Sequence, residues 1–186
     1  MASDRIWTIP NVLSSLRLML AIVLFVAIER GLPTAAFWLF IVAASTDWVD
    51  GWWARRFGQV SRLGRILDPL VDKVIVCGSY ALLAGAGSAI APWMVVVVVV
   101  RELVVTAIRA EMEKAGHDFS AALSGKLKMV LQCGTIALVL AERAWPGFVL
   151  GGLPLAVLAG WAAWAAVAAT VWSGLEYLMA ARPLVR

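Results

Sequence analysis

Long apolar stretches broken by short polar ones dominate this chain, and the breaks recur at regular intervals. A bilayer-spanning helix needs about 20 mostly apolar residues. Six stretches meet that length: Ile9–Ala27, Pro33–Ala54, Ile66–Gly85, Ala91–Glu111, Ala121–Ala141 and Pro154–Ala180. The breaks fall at Glu29-Arg30-Gly31, the Arg55–Arg65 loop, Ala84–Ser88, Lys114–Phe119 and Arg143–Gly152. Pro33, Pro92 and Pro154 stand at starts of stretches, where a missing N–H costs nothing. The run Val95–Val100 is β-branched enough to pass for a strand, but its length between polar flanks predicts a spanning helix. The pattern predicts an all-α, polytopic membrane protein, with residues 1–186 forming a single six-helix membrane domain.

Composition agrees with the pattern. Apolar residues make up 62% of the 186 and charged residues 15%, against roughly 45–50% and about 25% in ordinary soluble domains. The segment Met1–Pro10 lacks a small-residue cleavage pattern and is not expected to be a removable signal. Cys77 and Cys133 sit in apolar runs without a CxxC spacing and read as packed thiols. The formal net charge is +4, but Lys and Arg lie between apolar runs or among acidic residues. That arrangement offers no basic face for nucleic acid.

Lys and Arg in short loops set the direction of the spans. One side holds Arg5, Arg55, Arg56, Arg62, Arg65, Lys114, Arg182 and Arg186; the other holds Arg30 and Arg143. Both termini are therefore expected on the cytoplasmic side, with the protein in the cell inner membrane. Trp7, Trp38, Trp93, Trp145 and Trp172 fall near span ends, as an aromatic belt requires.

Ionisable residues inside a membrane are costly and usually functional. With the spans alternating in direction, the unusual ones share one depth in the cytoplasmic half. They are Arg17 on span 1, Asp47 and Asp50 on span 2, and Asp68 and Asp72 on span 3. Span 4 adds Arg101, Glu102 and Arg109, and span 5 adds Lys126 and Lys128. Asp47 and Asp50 are i, i+3, and Asp68 and Asp72 are i, i+4, so each pair shares a helix face. Four converging carboxylates repel by on the order of several kcal/mol unless neutralised. Hard oxygen ligands in that number suit Mg²⁺ or Mn²⁺. Salt bridges to Arg17, Arg55 or Lys73 account for one pair but poorly for four carboxylates. Gly51 and Ala54 leave the helix surface bare enough for a flat nucleotide, and Arg55 offers a fork suited to a diphosphate.

The stretch from Asp47 to Asp72 fits D-x2-D-G-x2-A-R-x8-G-x3-D-x3-D at Asp47, Asp50, Gly51, Ala54, Arg55, Gly64, Asp68 and Asp72. It resembles the complete signature of the CDP-alcohol phosphotransferases. The resemblance implies that family's six-helix fold, with its site at the cytoplasmic membrane surface. It implies that Asp47, Asp50, Asp68 and Asp72 bind two divalent cations that hold the diphosphate of CDP-diacylglycerol, with Gly51, Ala54, Arg55 and Gly64 at the CDP moiety. Asp72 would also be the general base. A homodimer in the lipid bilayer is implied as well.

Three further segments bear on the acceptor. Asn11, Ser14 and Arg17 resemble the family's N-x-x-T-x-x-R entry segment, with Ser14 in place of Thr. Arg101-Glu102, Arg109, Gly125-Lys126-Leu127-Lys128 and Gln132 resemble the phosphatidylglycerophosphate-forming bacterial branch, although Met129 stands where that pattern has Thr. By that resemblance Arg109, Lys126 and Lys128 hold the phosphate of sn-glycerol 3-phosphate, a dianion that needs dedicated cations, with Arg101 in support. Other readings are inositol phosphate, inositol or serine as acceptor. A cation transporter is a different class, but it calls for inverted repeats and broken helices at the midplane, and the sequence has no repeat.

Overall fold

Each apolar stretch becomes one helix in the computed structural model, which describes residues 9–57, 62–85, 87–114 and 123–181. Side chains of residues 9–14, 47–57, 62–69 and 113 lie outside the description, although their backbone is helical. The helices are α1 (Ile9–Glu29), α2 (Pro33–Phe57), α3 (Arg62–Leu83), α4 (Pro92–Lys114), α5 (Leu123–Ala144) and α6 (Leu155–Ala180). α2 runs past Ala54, and α3 begins at Arg62, so both helices extend into the expected Arg55–Arg65 loop.

Helix boundaries follow local chemistry. At the end of α1, Gly31 takes φ 64°, its N–H donates to Ile28 O (3.1 Å), and the Leu32 N–H donates to Ala27 O (2.9 Å). This is a Schellman stop, which favours glycine at the left-handed position, and Pro33 then opens α2. Before α6 the all-α expectation meets an exception. Val149–Leu150 (β1) pairs antiparallel with Leu153–Pro154 (β2). The link is Gly151 and Gly152, both at positive φ (60° and 84°), the conformation that tight hairpins require. Reading this segment only as a break between spans overlooked the Gly-Gly turn.

The chain divides into two compact units: residues 1–82 with 140–146, and residues 83–139 with 147–186. In the first, α1 packs on α2. Gly78 on α3 faces Phe25 on α1 so closely that a Cβ there would lie 2.3 Å from Cζ of the ring. α1 and α3 also meet through Arg17 and Asp72. Phe37 also packs edge-on against Trp38 and Trp145, at 5.2 and 5.1 Å between ring centroids. In the second unit α4 packs on α6. The buried stripe of α6 is Leu155, Ala159, Ala163, Ala166, Val167, Thr170, Ser173 and Tyr177, mostly the small residues that let helices approach in a bilayer.

Polarity is inverted relative to a water-soluble fold. Met19, Ile22, Leu103, Val130, Trp161, Trp164 and Trp172 are exposed, whereas Arg17, Glu102, Lys128, Gln132, Thr135 and Thr170 are buried. Soluble proteins rarely expose apolar surface on that scale. Two of the described helices, α5 and α6, are long and apolar enough to cross a membrane. The chain is a helical membrane protein.

Candidate active site

Only part of the aspartate motif is visible at side-chain level. Helical backbone carries Asp47 and Asp50 on α2, and Asp68 and Asp72 on α3. The side chains of Asp47, Asp50, Gly51, Ala54, Arg55, Gly64 and Asp68, and of Asn11 and Ser14, lie outside the described residues. Just before the motif, the Thr46 hydroxyl donates back to Val42 O (3.0 Å) and Ala43 O (2.8 Å) of its own helix.

Asp72 is described, and it meets Arg17. Arg17 Nη1 donates to Asp72 Oδ1 at 3.2 Å. The arginine side chain is 2% exposed, whereas the aspartate side chain keeps 27% of its surface open. A buried guanidinium thus orients a carboxylate that remains accessible. Among the described residues no group of three or more His, Cys, Asp or Glu could hold a metal ion. Asp72 itself suits one: it is a hard oxygen donor with exposed surface, on a face shared with Asp68 one turn earlier.

The second unit collects the cations named for the acceptor, and it gives each a different setting. Lys128 is buried on α5, and its Nζ donates to Glu102 Oε1 of α4. Arg101 Nη1 reaches the same oxygen at 3.4 Å. Arg109 lies against the ring of Tyr177, 5.9 Å from its centroid, and Arg101 lies 5.5 Å from that centroid. Lys126 is exposed, as expected for a residue two positions from a buried one on a helix. The structure therefore gathers Arg101, Arg109 and Lys128 about Glu102 and Tyr177 and leaves Lys126 on the surface. Deeper in this unit Gln132 Nε2 donates to Thr170 Oγ1 at 3.0 Å, which satisfies a buried amide.

Tyr177 was not anticipated. It belongs to no motif, and α6 reads as a uniform apolar span. One signal was present: Glu176-Tyr177 is a polar break in the last turns of that helix.

The sequence model of the CDP-alcohol phosphatidyltransferases matches residues 7–172. The chain belongs to this family. It is 40% identical to the CDP-diacylglycerol–glycerol-3-phosphate 3-phosphatidyltransferase of Bacillus subtilis (strain 168) over 139 residues, 75% of this chain and 69% of that protein. Identity to the protein of the same name from Escherichia coli (strain K12) is 33% over 186 residues, 95% of this chain and 96% of that protein. The Sodalis glossinidius protein of that name is 34% identical, covering 81% of this chain and 80% of its own. As a CDP-alcohol phosphatidyltransferase this chain is a transferase, in a family that generally uses divalent metals.

Proposed function

We propose that this chain transfers the phosphatidyl group of CDP-diacylglycerol to sn-glycerol 3-phosphate, giving phosphatidylglycerophosphate and CMP. The observation that carries this reading is the similarity, along nearly the whole chain, to relatives named for that activity, 95% of it for the Escherichia coli protein. The complete aspartate motif and the cations of α4 and α5 supply the matching chemistry.

In this reading Asp47, Asp50, Asp68 and Asp72 hold two divalent cations, Mg²⁺ or Mn²⁺, and Arg55 and the bare surface at Gly51, Ala54 and Gly64 receive the CDP moiety. Bound cations would neutralise charge on the diphosphate and on the departing CMP. Asp72, oriented by Arg17, accepts the proton of the acceptor hydroxyl. The hydroxyl oxygen bonds to the phosphorus bearing the lipid, and the bond from that phosphorus to the CMP oxygen breaks. Arg109, Lys126 and Lys128 bind the acceptor phosphate, with Arg101, Arg17, Asn11 and Ser14 in supporting roles. All six helices span the inner membrane as one domain, with both termini and the chemistry on the cytoplasmic side, in a homodimer.

The test is direct. Purified protein with CDP-diacylglycerol and Mg²⁺ is offered glycerol 3-phosphate, inositol phosphate, inositol or serine, reading CMP release and the lipid product. Glycerol 3-phosphate should support the fastest release. Faster turnover with any other acceptor overturns the assignment.

A further inference from the structure

Two arginines eight residues apart on α4 are separated by about 12 Å of helix rise. Both guanidiniums nevertheless lean on one ring. Arg101 Cζ lies 5.5 Å from the centroid of Tyr177, and Arg109 Cζ lies 5.9 Å from it. Tyr177 is itself 3% exposed. Its neighbourhood is cleared for this arrangement. A Cβ at Gly174, three residues before it on α6, would stand 3.3 Å from Arg101 Cγ, so the bare glycine gives the arginine stem its passage. On α5 a Cβ at Gly125 would stand 3.7 Å from the Tyr177 hydroxyl. The glycine of the Gly-Lys-x-Lys segment therefore lies beside the ring edge.

Arg101 has more donors than the described residues use. Its Nη1 faces Glu102, whereas its Nε and Nη2 are buried and have no hydrogen-bond partner among the described residues. Its side chain is 10% exposed. Buried guanidinium donors without acceptors are costly and call for an anion. Two guanidiniums also repel when brought together. The electron-rich face of an aromatic ring offsets that repulsion, and contact through the ring face leaves Nε and Nη2 of Arg101 available to an anion.

We propose that Tyr177 is a positioning residue for the acceptor's anionic group: its ring holds Arg101 and Arg109 as a pair and thereby favours a phosphorylated acceptor over a neutral alcohol. This rests on the reading that Arg109 binds the acceptor phosphate. The role belongs to the ring face and not to the hydroxyl.

The experiment measures KM for glycerol 3-phosphate and for CDP-diacylglycerol separately, with kcat, in the full-length enzyme. Tyr177→Phe keeps the ring and should keep both KM values near wild type. Tyr177→Leu removes the ring face and should raise the acceptor KM roughly 10-fold, with the donor KM within about twofold. Fluorinated phenylalanines placed at position 177 weaken the ring's electrostatic face at nearly constant shape, so the acceptor KM should climb with each added fluorine. That series remains decisive even if the leucine variant fails to fold. Equal acceptor KM across it, or equal shifts of both KM values in Tyr177→Leu, overturns the proposal. Arg109→Gln serves as the parallel arm. An unchanged acceptor KM there sinks the underlying acceptor reading, whereas a raised KM beside a flat fluorination series sinks only the role of the ring.

Discussion

Among the described residues two ion pairs join different helices, one in each unit, and they are built differently. In Arg17–Asp72 the arginine side chain is 2% exposed and the carboxylate 27%. In Lys128–Glu102 the corresponding figures are 8% and 12%, and Arg101 shares the same carboxylate oxygen. A pair that is dry on both sides incurs the full desolvation cost and recovers it only while both partners remain. Such a pair organises structure. A pair with one accessible carboxylate can exchange a proton and admit a ligand, while its buried partner fixes the direction of the carboxylate. In the proposed reading, the comparison separates a carboxylate open to substrate from a pair that braces its helices.

The largest effect expected on the open pair is loss of metal. If the four aspartates must be neutralised before they hold a diphosphate, excess EDTA should abolish CMP release, and added Mg²⁺ or Mn²⁺ should restore it. Full turnover in chelator would remove the reason for reading Asp72 as part of a metal cluster.

Next comes Asp72→Asn. The amide oxygen still accepts a hydrogen bond from Arg17, so the helices should stay paired, although the buried guanidinium loses its counter-charge and the melting temperature should fall. Proton acceptance is lost, and with it turnover, by about 10²- to 10⁴-fold for a general base alone. A variant with near-normal turnover, or one that unfolds, would place Asp72 with the structural pairs.

The closed pair should respond in stability. Glu102→Gln leaves Lys128 as a buried cation beside an amide, and breaking a buried pair from one side costs about 3–5 kcal/mol. The double variant Glu102→Gln, Lys128→Met removes both charges and should regain much of that loss. Thermal unfolding in detergent measures the difference. Equal melting temperatures for the wild type and Glu102→Gln would show that the pair is not the structural brace its burial implies.

The sequence carried the helices well because an apolar stretch of that length is a strong, local signal: each of the six stretches corresponds to one helix, with ends shifted by a few residues among the described positions. The Val95–Val100 run, ambiguous by propensity, is helical within α4. The hairpin at Val149–Pro154 was missed because a two-residue strand has no period to detect. Spacing also named Asp72 and Arg17, since the cost of an intramembrane charge is visible in one dimension. Which cation faces what was not legible in the same way. Lys126 and Lys128 look equivalent in Gly-Lys-x-Lys, yet a helical step of two residues turns one outward and the other onto Glu102. Tyr177 escaped because its importance arises only when α6 is laid beside α4.

The smallest expected effect is the sharpest test of that last distinction. A cation bonded to a phosphate oxygen contributes about 1.5–3 kcal/mol, so its loss should raise the acceptor KM roughly 10- to 100-fold. Lys126 is exposed and has no burial to disturb. If it reaches the phosphate, Lys126→Gln should raise the KM for glycerol 3-phosphate towards the lower figure, with the CDP-diacylglycerol KM and the melting temperature nearly constant. Lys128→Gln should instead lower the melting temperature as well, because Glu102 loses its lysine partner and keeps only the longer contact with Arg101. An exposed lysine that merely reaches for lipid headgroups behaves otherwise. Its loss would leave the ratio of the two KM values at the wild-type figure and alter only the dependence on anionic lipid. That outcome would confine acceptor recognition to the buried cations, and Lys126 would belong to the membrane surface.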